Sequence, residues 1–164
     1  MTGLHTQVIA TFQRGVLATG FITPNTSEKH GFLQDHVYLE DIDGNTITIP
    51  VGSTKPTFIN IWATWCPPCV AEMPNIDALY EEMSPQVEFI MISRDKDRNK
   101  AIEWVEKNGY DFPIYFLKYR LPETLQSQSI PTSFVIAPTG EIVMRHVGMS
   151  NYDTQEFKDF LKSI

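Results

Sequence analysis

The sequence predicts an α/β fold in which a central mixed sheet carries helices on both faces. An apolar run at residues 57–62 passes directly into a stretch whose apolar residues recur at helical spacing. Further strand-like runs at 87–93 and 112–117 are separated by a helical segment. Two more near the C terminus enclose a turn and lead into a last helix. With 164 residues, 42% hydrophobic and 12% aromatic, the chain is long enough for one domain with a sizeable core. That domain is expected over residues 31–164, with residues 1–30 as an N-terminal extension.

In the extension, Val8, Ile9, Phe12, Val16 and Leu17 fall at helical spacing, Gly15 weakens the pattern, and Pro24, Asn25, Thr26 and Ser27 mark a loop. A short amphipathic helix packed on the domain is expected, with a partly ordered tail as the alternative. Val37, Leu39 and Ile42 alternate with polar residues, Asp43-Gly44-Asn45 supplies a turn, and residues 46–49 alternate again, which reads as a hairpin. After the strand at 57–62, Val70, Met73, Ile76, Leu79, Tyr80 and Met83 define a helix in which Pro74 predicts a kink.

Residues 87–93 read as a buried strand. The mixed charge run of residues 94–98 reads as a solvated loop, entering a helix over 97–108 that Gly109 stops. Pro113 near the start of the run at 112–117 puts that strand at or near a sheet edge. A short helix is expected over 121–128, and residues 132–137 and 141–147 flank Pro138-Thr139-Gly140 as a second hairpin. Asp153 with Glu156 has the form of a capping box, ahead of a helix burying Phe157, Phe160, Leu161 and Ile164.

The two cysteines of the chain lie together in Trp65-Cys66-Pro67-Pro68-Cys69, where the strand gives way to the helix. Cys66 then falls at the helix N-cap, where the dipole and the first free N–H groups favour thiolate over thiol. Pro67 suits the first helical position, and Cys69 stands one turn on, on the same face. Because Pro67 and Pro68 lack an N–H, the Cys69 amide is the nearest donor left for the Cys66 sulfur. A reversible redox pair fits this placement best. Half of a zinc site would need a second ligand pair, which the scattered His5, His30, His36 and His146 do not offer, and a static disulfide is the other alternative.

On a helical wheel Glu72 falls inside the apolar stripe, between Leu79 and Met83, whereas Asp77, Glu81 and Glu82 lie outside it. A carboxyl on a buried face has its ionised form disfavoured, which suits proton exchange with a thiol near neutrality. Alternatively Glu72 reaches solvent and compensates the helix dipole. The pattern by itself supports both equally.

These residues resemble a thioredoxin-fold protein, and more closely the TlpA/ResA branch of thiol–disulfide oxidoreductases. The resemblance rests on residues 58–69, on Glu72-Met73-Pro74 and on Ile130-Pro131-Thr132, and runs from about Val37 to the C terminus. It implies that Cys66 attacks, Cys69 resolves, and Glu72 assists the proton transfer of Cys69. Thioredoxins typically carry a buried aspartate where this chain has Asn60, a departure that argues against a general cytosolic thioredoxin. Ile130 and Pro131 resemble the cis-proline segment that faces the dithiol. Trp65, Ile130, Pro131 and Gly148 are then expected to bind the target chain, with a core position as the alternative for Trp65. Pro67, Pro68 and Asn60 shape the site.

The activity so implied is protein thiol–disulfide exchange, and the resemblance favours reduction of envelope proteins such as apocytochromes, as in cytochrome c biogenesis, with no cofactor and no metal. Expected partners are disulfide-containing proteins and a membrane thiol electron donor, with the chain itself a monomer. The alternatives are a disulfide-donating oxidase and a Cu(I) carrier using the same cysteines, helped by Met149 and His146. A net charge of −7 and a pI near 5.0 disfavour nucleic acid and anionic membrane surfaces. No run approaches the length of a membrane span, and the N terminus lacks the pattern of a signal peptide. The chain is therefore cytoplasmic, or works in the periplasm or cell envelope with its targeting segment removed. The resemblance favours the second.

Overall fold

The computed structural model describes residues 3–20, 22–26 and 30–164; Ser27 of the expected loop lies outside them. One seven-stranded mixed sheet runs in the order β2-β1-β5-β4-β3-β6-β7. Its strands are β1 (Val37–Glu40), β2 (Thr46–Ile49), β3 (Thr57–Trp62), β4 (Glu88–Ser93), β5 (Ile114–Leu117), β6 (Thr132–Ile136) and β7 (Ile142–Val147). The helices are α1 (Gly3–Leu17), α2 (Pro67–Met83), α3 (Arg98–Asn108) and α4 (Gln155–Lys162). β3 is an interior strand buried at every residue, parallel to β4 and antiparallel to β6, as Phe58, Ile59, Ile61 and Trp62, apolar on both faces, require. No described helix is long and apolar enough to cross a membrane.

The two faces of the sheet are covered unequally. Phe58 and Trp62 of β3 point into a cluster that takes Met73, Ile76 and Leu79 from α2, Ala101 and Val105 from α3, and Phe157 and Leu161 from α4. Ile59 and Ile61 point the other way, where Leu33, Leu121 and Leu125 supply the cover. Only a 3-10 turn at Glu123–Leu125 forms in the segment where a short helix is expected over 121–128.

Three further expectations change. β5 is an interior strand and not an edge, because β1 of the first hairpin pairs along its outer side. Pro113 lies just outside it, so no ladder bond is lost. The N-cap of α4 is Thr154, whose hydroxyl accepts from the Phe157 N–H at 3.2 Å; Asp153 instead pairs with Lys158. α1 forms and packs on α2, but through Ala10 and Leu17 against Val70 and Ala71, with the Arg14 guanidinium donating to the Val70 carbonyl at 3.2 Å. Val8, Ile9 and Phe12 are exposed. Of the expected apolar face only Leu17 is buried, and the small Ala10, which admits a close approach of the two helices, takes the other contact.

Gly109 ends α3 in the left-handed conformation (φ 70°), and its N–H caps the last carbonyls. α2 runs through Pro74 as one continuous helix.

Candidate redox-active site

Cys66 is the N-cap of α2, with extended backbone, and Pro67 and Pro68 open the helix. In the oxidised state described by the structure, Cys66 and Cys69 are joined as a disulfide. The Cys69 N–H donates to Cys66 Sγ at 3.4 Å, so the one amide the prolines leave available does reach the sulfur. Cys69 is fully buried and Cys66 nearly so. The neighbouring Trp65 is 58% exposed, which places its ring on the surface and not in the core.

The loop between β3 and Cys66 is braced from β4. Asp95 accepts from the Thr64 N–H at 2.9 Å, from the Thr64 hydroxyl at 2.6 Å and from the Ser93 hydroxyl at 2.9 Å. Asp95 is thus a positioning residue and not merely part of a solvated charge run. Opposite the dithiol, the Ile130–Pro131 peptide is cis, and the Ile130 carbonyl oxygen lies 3.7 Å from Cys66 Sγ. Gly148, at φ 101°, donates its N–H to the Pro131 carbonyl at 2.9 Å and so ties β7 to this arch.

Glu72 is completely buried one turn beyond Cys69. Its Oε1 accepts from Asn60 Nδ2 at 2.8 Å and its Oε2 from the Ser150 N–H at 3.0 Å. The same Asn60 nitrogen donates to Ser133 Oγ at 2.8 Å. Burial pushes the Glu72 carboxyl up from 4.5 to about 8, against the lowering pull of Asn60 and Ser150. Buried Tyr152 stacks edge-on against Phe58; burial raises its hydroxyl well above the ordinary value and the Glu72 charge adds to this, so it stays protonated. Asn60 therefore holds the carboxyl, and the dipole-compensating alternative for Glu72 fails because no part of the side chain reaches water.

The loop that supplies Ser150 is pinned by the extension. Ser150 Oγ and the Asn151 N–H both donate to the Ile22 carbonyl, at 3.3 and 2.9 Å. Ser133, Ser150 and Asp95 were not among the expected site residues. Ser133 carries a faint signal, a polar residue ahead of the apolar Phe134, Val135 and Ile136 of a buried strand; Ser150 carries none. His146 is half-buried, edge-on to Tyr152 at 6.4 Å, and burial lowers its pKa. Among the described residues no group of three or more His, Cys, Asp or Glu gathers that could hold a metal ion.

The Redoxin family profile matches residues 23–164. The thiol–disulfide oxidoreductase ResA of Halalkalibacterium halodurans is 34% identical over 127 residues, covering 76% of this chain and 72% of that protein. Among solved structures, StoA from Bacillus subtilis superposes with a TM-score of 0.63 at 24% identity over 79% of this chain and 96% of that one. A DsbE-like thiol:disulfide interchange protein from Chlorobium tepidum gives 0.70 at 20% identity over 83% and 96%. The likeness to the two solved structures shows the thioredoxin-like fold, and the sequence match carries the activity. The chain belongs to the Redoxin family, as a thioredoxin-fold thiol–disulfide oxidoreductase related to ResA.

Proposed function

We propose that this oxidoreductase runs as a reductase of disulfides in cell-envelope proteins, through Cys66 as nucleophile, Cys69 as resolving thiol and Glu72 as the proton acceptor for Cys69. The observation that supports the reading best is the fully buried carboxyl one turn beyond Cys69, held at a pKa of about 8.

The cycle needs only two thiols and one carboxyl. The Cys66 thiolate attacks one sulfur of a target disulfide, forming a mixed disulfide and releasing the other target sulfur as thiolate, which takes a proton from water. Ionised Glu72 then accepts the Cys69 proton as Cys69 Sγ attacks Cys66 Sγ. The second target sulfur leaves, the target has gained two electrons, and the chain returns to the Cys66–Cys69 disulfide with Glu72 protonated. Regeneration reverses the sequence: a donor dithiol opens the disulfide and Glu72 returns its proton to the Cys69 sulfur. The Asn60 and Ser150 N–H groups, which donate to the Glu72 carboxyl in the disulfide-bonded structure, favour its ionised form and so support its part as proton acceptor.

Trp65, Ile130, Pro131 and Gly148 form the surface on which the target lies. A membrane thiol carrier as donor, the envelope location and a monomeric state rest on the resemblance to the TlpA/ResA branch. To test the roles, prereduced Cys69→Ala protein is mixed with a peptide disulfide and examined by mass spectrometry. A stable one-to-one adduct through Cys66 is expected, and adduct formation by Cys66→Ala instead would reverse the assignment.

A further inference from the structure

A cavity of about 610 Å³ opens beside the segment that leads into the cis-proline arch, with Ser127 and Ser129 in its wall. Its floor is apolar, including Ile61 of β3 and Leu121, and its rim carries the guanidinium-bearing Arg94, Arg120 and Arg145. No carboxylate lines it. In a chain of net charge −7 with only 13 lysines and arginines, three arginines around one opening run against the overall balance. None of the three forms an ion pair among the described residues: Arg120 donates to the Gln126 side chain at 2.8 Å and Arg145 lies over the Phe134 ring. The other arginine at this end of the sheet, Arg98, is paired with Glu40.

The cavity and the dithiol share a wall. Ser129 lines the cavity, and the next residue, Ile130, presents its carbonyl to Cys66 Sγ. Val147 lines it from β7, next to the Gly148 that bonds Pro131. A peptide lying across the arch with a cysteine at Cys66 advances about 3.3 Å per residue, so the side chains that flank this cysteine extend towards the wall formed by Ser129 and Val147. Guanidinium groups without an ion-pair partner select carboxylates, bidentate where geometry allows.

We propose that this cavity is a recognition subsite for an acidic segment of the target polypeptide flanking its reactive disulfide. The proposal rests on the thiol–disulfide exchange reading. It predicts that the protein prefers acidic targets although its own net charge repels them.

The test uses prereduced protein and three disulfide peptides of equal length, whose residues beside the cystine are aspartate, asparagine or lysine, in single-turnover reactions followed by tryptophan fluorescence. Hydroxyethyl disulfide, small and neutral, reports the dithiol chemistry of each variant, and peptide rates are read relative to it. The aspartate peptide should react about tenfold or more faster than the lysine peptide, a preference that shrinks at about 0.5 M salt. In the Arg94→Gln/Arg120→Gln/Arg145→Gln protein the preference should disappear. Equal rates for the three peptides, faster reaction of the lysine peptide, or a preference that survives in the triple variant would overturn the subsite. Failure to reduce hydroxyethyl disulfide would instead strike the exchange chemistry itself.

Discussion

Replacing Glu72 by glutamine removes one proton acceptor and little else. The side chain keeps its size and can still accept from Asn60, while its new amide meets the Ser150 N–H that now donates to Oε2 at 3.0 Å. That mismatch costs about 1–3 kcal/mol, set against relief from burying an ionisable group. The kinetic effect is larger. A positioned general base contributes typically 10²–10⁴-fold, so release of target from the mixed disulfide should slow by about a hundredfold or more. Because the base works only when ionised and burial holds it at about 8, the wild-type release rate should rise with pH and bend near that value. The Glu72→Gln rate should rise without the bend. Stopped-flow measurement on a preformed mixed disulfide, from roughly pH 6 to 9, reads both features. Equal rates for the two proteins across that range would refute the role given to Glu72.

Two further outcomes follow from the same pocket. The oxidised protein should lose stability as pH rises: the folded Glu72 pKa lies above its unfolded value, so its contribution is complete below about 4.5 and is lost as pH climbs through about 8. The span corresponds to an order of 5 kcal/mol between the extremes, and urea midpoints of wild type should fall more steeply over that window than those of Glu72→Gln. Parallel curves would show that the carboxyl is not held protonated. Asn60→Ala removes the side-chain donor to Oε1, disfavours the carboxylate further and should move the kinetic bend upward; an unmoved bend would leave Asn60 a packing residue only.

The dithiol was legible because its signals are local. An apolar run, an N-cap cysteine and prolines at the first helical positions sit within a dozen residues, and β3 and α2 follow them. The burial of Glu72 could be read from helical periodicity, but its choice over the dipole alternative needed the resemblance, since a wheel cannot say how deep a stripe lies. What completes the pocket arrives from elsewhere in the chain. Ser150 reaches Glu72 across 78 residues and Ser133 reaches Asn60 across 73, and no spacing rule connects them. Long-range pairing also moved β5 inward, because nothing in residues 112–117 announces that β1 will add to them. The face of α1 was misjudged for a related reason. Periodicity marks the apolar side chains, but of these only Leu17 is buried against Val70 and Ala71, and the small Ala10 supplies the other contact.

Direction of electron flow is the claim on which the account stands, and one equilibrium measures it. The protein is equilibrated with glutathione redox buffers, the Cys66–Cys69 couple is titrated by tryptophan fluorescence or thiol trapping, and the double Cys→Ala variant serves as the blank. A reductase fed by a thiol donor predicts a potential near or below about −250 mV, towards that of thioredoxin at roughly −270 mV. A value near about −120 mV, as for DsbA, would make the protein a donor of disulfides and contradict the proposed direction.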